Sequence, residues 1–560
     1  MFSRAIVLSW AVILTEYALW TLMIYLTNVW KITFTHAAAI LNVYHSVMGF
    51  LPFLLKFIAD TLMGNFWMLL FSSLSFCTGM GFLSMSTPPV LSKVTGTCGS
   101  YEPECIGDTQ RVLFYAALAF IAVGCAGHVV SLGSFLTEQM LGAIQNIENI
   151  TARSILASVG SIWVTAAVSC FAVLGLPYIR PWSLHFGLPA IFIVVATLIF
   201  VSGASKYTYI PPQGSYLTKV FRVFVASASK LFRRLPADPH ELHGMSDLQI
   251  PRTRCLRCLD KAAIILPDQP AEEQRKNIWK LCTVTEVEAT KRIIIRMIHP
   301  KSMSFIFIGI IGSLGFTFFV EQAKTMNHKL GKLTVPLTIF WWFLHQGSDY
   351  FGNADTVIYH LLRKMGVKSI SPTVGMILSM VLGILACVTA AKVESRRLDV
   401  VKSHGLLDQP DMTVPMSVFW LLPQFILLGG ASGVYAANSG GGSRTVNLGY
   451  IGSIVLVYVL GKVTGRGGKL SWFQDAINRS RLDNYYWFLA GLCAINLVVY
   501  AVPRCSFHCF CTSEEVRERN AQAQNAPEEI DVECCCFTWK ETPNVYAFQC
   551  CCISCSQESY

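Results

Sequence analysis

The chain has 560 residues, of which 53% are hydrophobic and only 14% charged, a balance that excludes an ordinary soluble domain. The formal net charge of +10 is no nucleic-acid footprint, because the basic residues flank apolar runs and gather in a central polar segment. Apolar stretches near the roughly 20 residues needed to cross a bilayer recur along the chain. The spans are predicted near Ile6 to Asn28, Ala37 to Ile58, Trp67 to Met85, Val112 to Leu136, Ile155 to Leu176 and Leu188 to Gly203. After a polar stretch a second set runs near Met303 to Val320, Val335 to Gln346, Thr373 to Ala391, Val414 to Ala436, Asn447 to Gly461 and Tyr486 to Val502. The eighth and eleventh are short for a full crossing. No cleavage site follows the first span, so it reads as a retained helix.

Six spans, a long polar segment and six more resemble the major facilitator arrangement, in which two six-helix bundles rock about a site near the midplane. The expected fold is therefore an all-α membrane protein of about 12 helices. Its parts are an N-terminal bundle (1–205), a central loop (206–302), a C-terminal bundle (303–502) and a Cys-rich tail (503–560). Lysine and arginine crowd Lys206 to Lys301, as in "KLFRRL" and "KRIIIRMIHPK", which places this loop and both termini in the cytoplasm. The basic stretch "AKVESRRLDVVKSHG" resists that rule, since it follows the ninth span on the outer side. "YLTKVFRVFVASASKLFRRL" has the pattern of a basic amphipathic helix on an anionic membrane surface. No nucleotide loop, dinucleotide fingerprint, zinc-protease motif or nucleophile elbow is present; an ATP-driven pump and an enzyme are disfavoured, and no cofactor or metal is expected.

Longer motifs sharpen the resemblance. "CLDKAAII", "WKLCTVTEVEATK", "TFFVEQAKTMNHKLGKLTVP", "VPMSVFWLLPQFILLG", "RGGKLSWFQDAINRSRLDNYYWFLAGL" and "LPADPHELHG" are similar to the plant nitrate and peptide transporter family, the plant branch of the proton-dependent oligopeptide transporters. The resemblance runs from the first span to about Val502. It implies a secondary transporter moving a small solute, such as nitrate, a peptide or another metabolite, by alternating access and proton symport. The partners are then the lipid bilayer, the solute and, as an open question, protons.

The family's charged elements do not carry over. Its Glu-x-x-Glu-Arg motif aligns with Leu8, Ala11 and Val12, its fourth-helix lysine with Val129 and its tenth-helix glutamate with Ser432. No obvious carboxylate and base pair is left to cycle a proton. Ionisable residues within spans are functional candidates by default, so Glu16 in the first span and His128 in the fourth are the replacements. A carboxylate satisfied by a neighbouring helix and a packed core histidine are the bland alternatives. His345 and Asp349 in "FLHQGSDYF" line the cavity, or else end a weak eighth span. Without the lysine, peptides are expected to be poor substrates.

The family also keeps a gating motif between the second and third spans, matched here by Asp60, Gly64 and Asn65 in "KFIADTLMGNFW". A carboxylate there caps a neighbouring helix or pairs with a base, and the glycine permits close approach. Lys56 and Asn65 stand where the family has glycine and arginine. Cys98 and Cys105 share a short outer loop where a disulfide is permitted. Cys255 and Cys258 form a lone pair without zinc spacing. The tail holds half of the 20 cysteines, with S-acylation the favoured reading of its first cluster and zinc the runner-up elsewhere. A Gly and Ser run after the tenth span replaces a longer passage in relatives. That loss leaves a second hypothesis, a non-transporting sensor or partner-binding protein. The membrane is plasma or vacuolar without distinction.

Overall fold

The structure is a computed structural model that describes residues 2–144, 163–212, 214, 216–233, 235–236, 242–244, 256–266, 274, 277, 279–298, 303–364, 372–409, 412–439 and 445–501. Among these, nine helical runs are long and apolar enough to cross a membrane. One of them, Phe34–Met85, is 52 residues long and holds the second and third crossings. Two further helices, Trp163–Tyr178 and Thr338–Lys364, complete the twelve. They form two six-helix bundles. The second crossing packs on the fourth and eleventh, the third on the fourth and sixth, the eighth and ninth on the tenth, and the ninth on the twelfth. Below, the face carrying the central loop is the loop face and the opposite one the distal face.

Three expectations are corrected. The eighth span is not short: its helix runs for 27 residues, Thr338–Lys364. A polar stripe lowers its hydropathy, but backbone hydrogen bonds within the helix and close packing on the tenth hold it. A Cβ on Gly433 would collide with the Ser348 carbonyl, and one on Gly429 with that of Leu344. This small-residue seam presses one side of the eighth helix onto the tenth. The eleventh span is likewise a 20-residue helix, Thr445–Thr464, long enough to cross.

The third correction concerns "AKVESRRLDVVKSHG", which is no loop. The ninth helix continues through it, Pro372–Ser403, for 32 residues. Glu394 and Arg397 stand one turn apart, the i,i+3 spacing at which opposite charges meet, and both are fully buried. Arg397 donates from Nε and Nη2 to both Glu394 oxygens at 2.7 Å, and from Nη1 to Asn478 Oδ1 at 2.7 Å. Gln322 Nε2 donates to Glu394 Oε2 at 2.6 Å, and Tyr486 donates to Gln322 Oε1 at 3.2 Å. Arg396 lies over the Trp420 ring, 4.1 Å from its centroid. Arg397 is thus neutralised inside the bundle, whereas Arg396, stacked on the exposed Trp420, and Lys392 and Lys402 remain on the surface.

Part of the central loop folds against itself. The helix Tyr216–Ser229, the 3-10 stretch Arg257–Ala263 and the helix Val284–Ile298 enclose Val223, Ala226, Leu259, Ala262, Val284 and Val287. Lys291 lies within it, 2.7 Å from Asp260 and 2.9 Å from Glu288, with all three side chains almost fully buried. Gly214 N–H donates to the Asp60 carbonyl at 2.9 Å, which ties the stretch preceding the first of these helices to the bend between the second and third crossings. The Gly and Ser run at 440–444, Cys255 and the tail lie outside the described residues; Cys258 is exposed and unbonded.

Candidate functional site

The intramembrane candidates separate cleanly. His128 is buried, its Nε2 2.9 Å from Ser73 Oγ and its ring edge-on to Phe76 at 5.6 Å. It joins the third crossing to the fourth and has the surroundings of a packed core histidine. Glu16 differs, because its side chain keeps exposed surface midway along the first crossing. It lies within electrostatic reach of His345, on the eighth crossing of the other bundle. Tyr44 on the second crossing and Cys125 on the fourth also feel its charge. Glu16 and His345 are therefore within electrostatic range of one another across the two bundles, and no hydrogen bond or ion pair joins them among the described residues.

The eighth helix shows why His345 points there. Residues four apart share a helix face, so Trp341, His345, Asp349 and Asn353 form one stripe. Gly347, on the other side, packs against the Ile426 carbonyl of the tenth helix. The Trp341 and His345 rings are 4.5 Å apart and nearly perpendicular, and Trp341 lies 6.1 Å from Trp20 of the first crossing. Trp341 Nε1 and His345 Nε2 are buried without a hydrogen bond to the protein among the described residues. Asp349, one turn on, is exposed. An indole N–H is a donor only and an imidazole donates from both nitrogens when protonated; together they are suited to an acceptor group on a solute.

Distal to this cluster the bundles are tied. Trp20 Nε1 donates to the Gly315 carbonyl at 3.2 Å. Lys324 Nζ donates to Thr27 Oγ1 at 2.9 Å and pairs with Glu321 at 2.6 Å, while Glu321 Oε2 lies 3.1 Å from Thr27 Oγ1. Thr338 Oγ1 donates to the Val173 carbonyl at 2.5 Å, and Tyr178 donates to that of Thr334. In the loop-face half, Ser46 Oγ donates to the Asn447 carbonyl at 3.0 Å, and Asn447 Nδ2 to that of Gly49 at 2.9 Å. The Thr27, Glu321 and Lys324 cluster escaped the sequence reading, although the i,i+3 spacing in "VEQAK" was its visible signal. Apolar grooves of about 450 and 480 Å³ share Val43, Val47 and Ile454 between the second and eleventh crossings. Neither Glu16 nor His345 lines them.

The gating residues occupy a bend, not a separate loop. One π-helical turn, Ala59–Met63, joins Phe34–Ile58 to Gly64–Met85. Gly64 makes the break with φ at +76°, a conformation costly to any residue with a Cβ. Asp60 pairs with Lys56 at 2.8 Å, one turn earlier. Asn65 Nδ2 donates to Glu138 Oε1 on the fourth crossing at 2.5 Å. The substituted positions Lys56 and Asn65 thus carry contacts of their own. Cys98 and Cys105 are joined by a disulfide, their Cα atoms 4.8 Å apart.

A family model described as PTR2, POT family, matches residues 66–441. The chain belongs to the POT family. Protein NRT1/PTR family 5.5 of Arabidopsis thaliana is 39% identical over 525 residues, 89% of this chain and 95% of the relative. Protein NRT1/PTR family 5.4 of the same plant is 30% identical, covering 86% and 89% respectively. Among solved structures, an auto-inhibited POT family peptide transporter superposes with a TM-score of 0.58 at 16% identity, over 90% of this chain and 96% of that one. The POT family transporter PepTSo gives 0.55 at 18%, over 94% and 98%; at such identities these two speak for the fold alone. As a POT member with two six-helix bundles, the chain is a multi-pass membrane protein and a secondary transporter of small solutes.

Proposed function

We propose that this POT protein couples solute movement to protons through Glu16 and His345. The reading is supported by their placement: one titratable group on each bundle, within electrostatic range of one another. Their attraction is full only when Glu16 is ionised and His345 protonated, so the tie between the bundles changes with proton occupancy. The donors Trp341 Nε1 and His345 Nε2 support a solute bearing an acceptor group, nitrate or a small carboxylate. The absence of a lysine at Val129 argues against peptides. With the central loop, both termini and the tail cytoplasmic, and bundles spanning 1–205 and 303–502, the distal ties describe a transporter closed on the outside. Asp60, Gly64 and Asn65 act at the loop-face hinge.

Flux of nitrate, a small carboxylate and a dipeptide into proteoliposomes at about pH 5.5 and about pH 7.5 tests this. Acid stimulation is expected in the wild type and in His128→Ala. It disappears in Glu16→Gln and falls in His345→Ala. Steep stimulation surviving both substitutions would overturn the assignment.

A further inference from the structure

The helix Tyr216–Ser229 has two apolar faces, and only one is used by the folded loop. Val223 and Ala226 enter the loop's core. On the opposite side Phe221, Phe224, Val225, Leu231 and Phe232 are exposed, Phe232 almost completely at 98%. Spacing of three and four residues puts Phe221, Phe224, Val225 and Ala228 on one face. Leu231 and Phe232 extend it beyond the helix. A surface of this size left to water marks an interaction site.

The position of this face identifies its occupant. The Phe221 ring meets that of Phe57, 6.4 Å away, in the last turn of the second crossing. The face that carries the exposed aromatics is therefore the one turned to the end of a membrane-spanning helix. Gly214, two residues before the helix, is held to the bend that follows that crossing. The helix thus packs beside the last turn of the second crossing, with the rest of its apolar side exposed. Lys206 and Arg233 are exposed towards the two ends of the same segment, complementary to anionic headgroups.

We infer that Tyr216–Ser229 is a membrane-surface helix, docking its Phe221, Phe224, Val225 and Phe232 face into the leaflet on the loop face, with anionic phospholipid as the preferred ligand. The loop module is thereby held against the bilayer on one side and carries its own core on the other.

A fluorescent amino acid placed by codon suppression at Val225 or Phe232, and at Arg257 as control, tests this in nanodiscs of the full chain. The nanodiscs contain phosphatidylcholine alone or with phosphatidylserine, and the acyl chains are brominated to quench nearby fluorophores. Probes at 225 and 232 should lose most of their emission and shift to the blue, more so with phosphatidylserine, while the probe at 257 keeps a water-like spectrum. Water-like emission without quenching at both test positions would show that the face meets water or protein instead. Equal quenching in the two compositions overturns the preference for anionic headgroups.

Discussion

The acid and base groups at Glu394 and Arg397 and at Glu16 and His345, both on membrane-spanning helices, are built to opposite specifications. Glu394 and Arg397 sit one turn apart on a single helix of one bundle, and both carboxylate oxygens and three guanidinium contacts are satisfied by neighbours that move with them. Glu16 and His345 come from different bundles, Glu16 keeps exposed surface, and His345 Nε2 has no protein partner among the described residues. The first pair is insensitive to any rocking of the bundles because none of its distances crosses between them. The second changes with every such motion. Charge in a membrane interior is costly either way; its location relative to the moving interface separates scaffold from machinery.

The comparison breaks most visibly at Arg397. Arg397→Met leaves the Glu394 carboxylate buried without its cation, a change that costs about 3–5 kcal/mol. Severe loss of monodisperse protein in size-exclusion traces is expected. Adding Glu394→Gln removes the stranded charge and restores much of the yield. Whatever protein is recovered from the double variant keeps its pH response, because the pair takes no part in coupling. Glu16→Gln is expected to show the converse, normal yield and thermal unfolding with transport no longer acid-stimulated. A structural Glu16 would instead lower both together.

The distal cluster sharpens the comparison from a third direction, since it joins the bundles but carries a charge pair within one of them. Thr27→Val removes the hydroxyl that accepts from Lys324 Nζ while leaving the Glu321 and Lys324 pair in place. One such hydrogen bond to a charged group is worth about 1.5–3 kcal/mol, enough to shift a two-state equilibrium by roughly tenfold or more. Faster modification of a reporter cysteine on the inner side of the cluster, from the distal face, is the expected outcome. An unchanged rate would mean that Trp20 and Thr338 hold the closure without it.

The legibility of these features follows from what each depends on. Crossings are set by length and apolar content, so most were readable at about their true extent. The eleventh was read short at both ends, and the eighth and ninth were cut short where hydropathy fell, at Gln346 and Ala391. There the helix continues because the stripe of Trp341, His345 and Asp349 faces its own bundle's partner across an interface, and because Arg397 is neutralised one turn from Glu394. Glu16 was visible as a carboxylate where lipid-facing sequence should have none. Its partner was not, since the first and eighth helices are more than three hundred residues apart and nothing local records their meeting. His128 illustrates the reverse: a titratable residue in a span looks functional by type, and the Ser73 contact shows how its Nε2 is satisfied, although its Nδ1 has no hydrogen-bond partner among the described residues.

The smallest expected effect lies outside the membrane and involves Lys230. Its ammonium is buried next to the loop core, donating to the Ile264 carbonyl at 2.7 Å and the Ala262 carbonyl at 3.3 Å. Desolvation lowers its pKa from 10.5 to about 8. Between these values the unfolded loop binds the proton that the folded loop has released, so folding stability rises with pH. Stability from this group is complete above about 10.5, is lost as pH falls towards 8, and stays at its lower level below that. Amide exchange in Tyr216–Ser229, corrected for the intrinsic effect of pH, should therefore slow between pH 8 and 10. Lys230→Met should flatten that dependence while leaving solute flux unchanged. Burial raises the pKa of the nearby Cys282 thiol, which acts in the opposite direction, because the unfolded thiol releases its proton first and stability falls as pH rises. Slowing of exchange that survives Lys230→Met would therefore overturn the assignment to Lys230.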